Sequence, residues 1–460
     1  MSGREKFLGI VPFIIVAVAF VACGGPPYPE EPAVDGPLIY ESKERPDMLD
    51  SDSPDGLKVV QITTDMAHPS HHVYMESHIF TPDSKRFVFY RYRGTNFEGG
   101  DRSSQDLWLC DIDNDFALRQ LTDEEGAKGP SITPDGLWMY YLVDQTVQGG
   151  GGELRLKRVS LKNFKRQTLL VLDGTVPGAK YYPNRVYGLS SISSDGKRLC
   201  TGAFLGDGKT ENAPWGILVF DLEKPDVSLI VLEADYCNIH PQYCRSKDPE
   251  ASHDILVQHN HGSVVNAQGG IEVLHADPWA DIHVIRDDGT NWRDCPFGRD
   301  GKEACQGHQA WRGEQLSVVS STVIRGGGGE RILDGFAYPA NRTTGHKGCT
   351  APEAKYVDLT RNIEKPSFGH FGLDPSGNFL VSDSYAWGRP ETGKLFIGRL
   401  TEGDNPELIP QFLFTPKSTW EGQRAHPHPF LSPDTKMAFF NSDEPGQPQI
   451  WMTTGYTFPE

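Results

Sequence analysis

Thr81-Pro82-Asp83-Ser84-Lys85-Arg86 runs straight into Phe87-Val88-Phe89-Tyr90, a turn by composition followed by an apolar strand. The pair recurs. Thr133-Pro134-Asp135-Gly136, Ser193-Ser194-Asp195-Gly196-Lys197-Arg198, Asp374-Pro375-Ser376-Gly377 and Ser432-Pro433-Asp434-Thr435-Lys436 repeat it, each ahead of another apolar run. Two degenerate copies, Ser246-Lys247-Asp248-Pro249 and Trp311-Arg312-Gly313-Glu314, fill the long gap between Ser194 and Pro375. Seven units result, spaced by roughly 50 to 65 residues, close to the repeat length of propeller blades.

A further strand follows in every unit, from Leu107-Trp108-Leu109-Cys110-Asp111 in the first to Gln449-Ile450-Trp451-Met452 in the last, with Lys355-Tyr356-Val357-Asp358 as the fifth copy. The final blade is then one strand short. Leu57 to Thr64 can supply it, pairing the two ends of the chain and closing the ring without exposed edges. The expected fold is all-β: a seven-bladed β-propeller over 56–460 with an N-terminal strand closing the last blade. Two β-sandwiches would not produce seven equal periods.

Residues 1–23 read as a lipoprotein-type signal peptide. Arg4 and Lys6 precede an apolar run from Phe7 to Ala22, and small residues lead to Cys23, where lipidation is expected. With Pro12 inside it and fewer than about 20 apolar residues, the run is short for an uncleaved span. Both readings place the protein outside the cytoplasm, in the cell envelope, touching the membrane through Cys23 alone. Residues 24–55 lack periodicity and read as a flexible tether. Export permits disulfides, for which Cys237/Cys244 and Cys295/Cys305 are the closest pairs. A net charge of −18 argues against nucleic acid as a partner. It also disfavours polyanions at long range.

In a propeller the strand before each Pro-Asp turn is innermost, so its start faces the central channel. Histidines gather at those starts: His71 and His72, His240, His308, His370, and His426 with His428. In the last blade, Gln423-Arg424-Ala425-His426-Pro427-His428 read as an extended strand puts both imidazoles on one face, with Gln423 joining from the preceding bend. That set suits a borderline divalent cation such as manganese, iron or zinc. The alternative is a strand-end pair that caps a loop.

These residues resemble the oligogalacturonate lyases, a propeller family of pectin-degrading enzymes. The resemblance rests on Gln423-x-x-His426-x-His428, on Gly307-His308-Gln309-Ala310-Trp311, and on Gln258-His259-Asn260-His261-Gly262 in the fourth blade. It implies a metal ion, usually Mn2+, held by His308, Gln423, His426 and His428. It also implies a histidine base at the end of the fourth-blade strand. Alignment on the glycine puts Asn260 in that position, leaving His261 as the first choice and His259 as the second.

The implied reaction is β-elimination on an oligouronide. The metal relieves charge on the substrate carboxylate while a neutral histidine takes the C5 proton. Arg245, Arg312 and Arg424, near inner-strand starts, are candidates for a second carboxylate, and His72 for the substrate path. A rival function is a non-catalytic, membrane-tethered propeller that binds sugar or protein.

Overall fold

The computed structural model describes residues 28–94, 104–147, 149–180, 182–276, 279–299, 303–324, 330–333, 336–339, 344–349, 356–364, 366–386 and 389–460. The turn motif closes on itself through side chains. Thr81 Oγ1 donates to the Asp83 carboxylate at 2.6 Å, and that carboxylate accepts the Lys85 N–H at 3.1 Å. Thr81 Oγ1 in turn accepts the Arg86 N–H at 3.1 Å. The same closure recurs at Thr133/Asp135, Ser193/Asp195 and Ser432/Asp434. One turn residue must be left-handed, which Gly136, Gly196 and Gly377 supply at φ 70°, 73° and 71°. Ser84 and Thr435 hold that conformation without glycine, at φ 60° and 63°.

Each turn reverses the chain into an antiparallel partner, and seven four-stranded blades follow in order. The inner strands are Ser70–His72, Ala127–Ile132, Arg185–Ile192, Gln242–Tyr243, Glu303–Trp311, Phe368–Leu373 and Phe430–Leu431. In the seventh blade Lys58–Gln61 pairs antiparallel with Gln449–Thr454, Val59 lying opposite Thr453. The closing strand therefore comes from the front of the chain. Val59, Phe440 and Trp451 are buried together there. Blade five departs from expectation: its third strand is Thr344–Cys349, and Val357–Asp358 is the outer fourth. A short apolar edge strand has the same local composition as an inner one, so sequence could not tell them apart.

Residues 28–55 are not a free tether. Glu30–Glu31 adds a fifth strand to blade two, Lys43–Glu44 adds one to blade seven, and Met48 is fully buried. Lys157 Nζ meets Glu31 and Glu124 at 2.6 and 2.7 Å, and Arg45 meets Glu444 at 2.9 Å. A segment held by backbone edges and ion pairs needs no hydrophobic period, which is why it reads as a linker. Residues 1–23 lie outside the described residues. Among those described, no helix is long and apolar enough to cross a membrane.

The expected disulfides are also absent among the described residues. Cys237, Cys244 and Cys305 are free thiols, and they and Cys295 are buried. They fill apolar clusters as small hydrophobic side chains.

Candidate metal centre at the channel mouth

The inner strands of blades two, three, five and six run with broken register. Blade five shifts between Cys305 and Gln309, and blade six between Phe368 and Phe371. A bulge leaves a residue unpaired and re-aims its side chain. His308 and His370 sit inside these two bulges. In blade seven the strand begins only at Phe430, so His426 and His428 do not share a strand face as the sequence suggested. A loop turns both rings inward instead, with His428 at φ 43°, a left-handed conformation that non-glycine residues seldom adopt. The Asn441 N–H secures the loop by donating to the Pro427 carbonyl at 2.9 Å.

The coordinating nitrogens of His370, His426 and His428 lie within 4.8 Å of one another, all on buried residues. His308 is partly exposed beside them, its ring 4.1 Å from that of His370. Asp383, fully buried, accepts the His370 backbone N–H at 2.9 Å and lies 2.8 Å from its Nδ1. Burial pushes the Asp383 carboxyl up to about 7, against the pull of that N–H. Tyr74 from blade one crosses the channel beneath, 4.8 Å from His428 and 5.2 Å from His240 by ring centres.

This donor set fits a divalent ion. Burial first, then the neighbouring imidazoles, push His428 well below its ordinary value and keep it neutral. Its Nε2 is buried with no hydrogen-bond partner among the described residues. Neutral imidazoles converging on one point, one of them steered by a carboxylate behind it, are the arrangement in which histidines hold metals.

The other sequence-derived candidates fall in several places. Gln423 is exposed, two residues outside the buried run that begins at Ala425. His72 is buried, its ring 6.1 Å from that of His428 and its Nε2 3.2 Å from the Pro427 carbonyl. It packs beneath the cluster. Arg424 lies over the Tyr92 ring at 4.9 Å. Arg245 is deep in the channel, donating to the Glu76 carbonyl at 3.0 Å near the Glu76–His240 pair, itself at 2.8 Å. Burial lowers the Arg245 pKa. Arg312 belongs to the turn end of its blade, where it donates to the Gly377 carbonyl at 2.8 Å.

His259 and His261 are not brought to this cluster. Along Asp254–Asn260, Ile255 and Val257 pack towards blade three, while Leu256 packs with Trp311 of blade five. Alternation sends His259 with the first set and Gln258 with Asn260 to the second. Gln258 lies 3.2 Å from where a Cβ on Gly307 would sit, next to His308. Asn260 is fully buried and accepts from Gln258 Nε2 at 2.6 Å. His370 is the residue that motif reading left without a role, although its place among the inner-strand histidines already marked it.

No family model and no curated protein matches this chain at the sequence level. Solved structures do. An oligogalacturonate lyase in complex with manganese superposes with a TM-score of 0.65 at 18% identity, covering 94% of this chain and 99% of its own. An oligogalacturonate lyase from Vibrio parahaemolyticus gives the same TM-score and identity over 92% and 98%. At that identity the likeness speaks to architecture. The motif resemblance and the superposition lead to one statement: this chain has the β-propeller fold of the oligogalacturonate lyases.

Proposed function

We propose that this propeller is a metal-dependent lyase that cleaves oligogalacturonate-like uronides by β-elimination. The observation that carries this reading is the convergence of His308, His370, His426 and His428 at one mouth of the channel. The likeness to a lyase solved with manganese supports it. His370, His426 and His428 form the holding set, and a bound divalent ion, Mn2+ in the first instance, supplies Lewis-acid relief of charge developing on the substrate carboxylate.

In this reading His308 takes the C5 proton. It is partly exposed, so substrate can reach it, and a neutral imidazole is a competent base near neutrality. As the proton passes to a His308 nitrogen, the C4–oxygen bond breaks and its electron pair leaves with the oxygen. A C4–C5 double bond remains and no water is consumed. Arg424, partly exposed over the Tyr92 ring, is the candidate in this reading for a second carboxylate. Export and anchoring through Cys23 belong to the same proposal.

Asn260 favours a second reading, a propeller that binds uronides through the metal without cutting them. It faces the His308 side where a base is wanted, and a carboxamide cannot accept the proton. Incubation with short oligogalacturonides and Mn2+ separates the two. The lyase reading expects the ultraviolet absorbance of unsaturated uronate to rise, and to vanish in His308→Ala while metal binding survives. Saturable binding without that absorbance would leave the binding module.

A further inference from the structure

We infer that blade four carries a second divalent-cation site, formed by Asp235, His259 and His261 with Glu233 at its edge, on the opposite face of the strand from Asn260. Donor atoms of the first three lie within 4.8 Å of one another.

Each ligand is already oriented. The Asp235 carboxylate accepts the Gly262 N–H at 3.2 Å and the Ser263 hydroxyl at 3.0 Å. Asp281 holds His261 Nε2 at 2.8 Å, which leaves Nδ1 to coordinate. A carboxylate behind a histidine is the usual support of a metal-bound imidazole. The His259 ring is stacked on Tyr236, 4.7 Å away at 12°, and meets His261 at 4.2 Å.

His259 Nε2 is the informative atom. It is buried and has no hydrogen-bond partner among the described residues. The nearest carboxylate oxygens, of Glu233 and Asp235, stand 3.7 and 3.8 Å away. A proton on Nε2 would draw a carboxylate in to about 2.8 Å. A tetrahedral ion with bonds of about 2.1 Å sets neighbouring donors about 3.4 Å apart, so these gaps need contract only by a few tenths of an ångström. The charge is also in place. Arg299 pairs with Asp281 at 2.9 Å and Asp294 at 3.1 Å, and among the described residues neither Glu233 nor Asp235 has a lysine or arginine partner. Imidazole and carboxylate donors without thiolate select a zinc-like first-row ion.

The test is metal content after equilibrium dialysis against Zn2+, measured per folded chain. Wild type should hold two ions, His259→Ala/His261→Ala one, and His426→Ala/His428→Ala the other one. Asp235→Asn removes the charge but keeps an oxygen to accept the Gly262 N–H, and should weaken one of the two ions by about tenfold or more. It decides the matter if the double variant does not fold. Wild-type content in His259→Ala/His261→Ala, unchanged affinity in Asp235→Asn, or one ion in the wild type would overturn the assignment. The proposal does not depend on the lyase reading, because no readout involves uronide.

Discussion

Asp383 grips His370 twice, through the backbone N–H at 2.9 Å and the ring Nδ1 at 2.8 Å. With Nδ1 engaged, Nε2 is the nitrogen turned to the cluster. Replacing the carboxylate by an amide keeps the shape and removes the charge that raises ligand basicity. Asp383→Asn should therefore weaken Mn2+ binding by about 10- to 100-fold with little loss of fold. Metal titration followed by calorimetry measures it, and an unchanged Kd would remove Asp383 from the site.

The structure and the motif disagree on one metal ligand, and a pair of variants decides between them. His370 is buried within the donor group, whereas Gln423 is exposed. His370→Ala is expected to lower Mn2+ affinity by on the order of 100-fold, and Gln423→Ala by less than about threefold. The reverse order would mean that the loop rearranges around the ion to bring Gln423 in.

What could be read from sequence was what local chemistry records. Thr81 and Asp83 close their turn within five residues, so the repeat shows in the chain itself, as does the unit left short for Lys58–Gln61 to complete. The histidine cluster was half legible. His426 and His428 do meet, but through a left-handed residue at His428 and not through strand alternation, and the same loop leaves Gln423 outside. His370 owes its place to a bulge, which depends on how two strands register and leaves no local motif. His259 and His261 were misplaced by parity: in a strand buried on both faces, nothing in the sequence says which alternate set looks towards His308.

The cysteines make a separate test. Burial pushes the Cys237 and Cys244 thiols up to about 11 and about 12, which keeps them protonated as well as inaccessible. A thiol reagent should leave them unmodified in the native protein and react promptly once it is unfolded, without prior reduction. Non-reducing peptide mapping that found Cys237 linked to Cys244 would contradict this.

Acid should loosen the N-terminal segment first. Glu124 lies 2.7 Å from Lys157 and 3.2 Å from Arg166. Burial raises its carboxyl pKa, but the Lys157 hydrogen bond and charge, with Arg166, outweigh this and bring it below 4.5. A carboxylate depressed in the folded state adds stability that is fully present above its unfolded value and lost as pH falls through the folded one. Asp144 adds to the same limb: burial raises it, and Lys128 at 2.8 Å, together with hydrogen bonds from the Thr146 hydroxyl and the Val186 N–H, outweighs that and lowers it. Protonating Glu124 leaves the Lys157 ammonium, 2% exposed, with Glu31 as its remaining carboxylate. That contact is one that holds Glu30–Glu31 on blade two. Thermal unfolding should therefore show Tm falling as pH drops below 4.5. Glu124→Gln should cost about 2 kcal/mol at neutral pH, since Lys157 keeps Glu31 but loses one of its two charged hydrogen bonds. It should also flatten the acid limb, because its contribution is already gone. An acid limb as steep in Glu124→Gln as in the wild type would place the acid-sensitive carboxylates elsewhere.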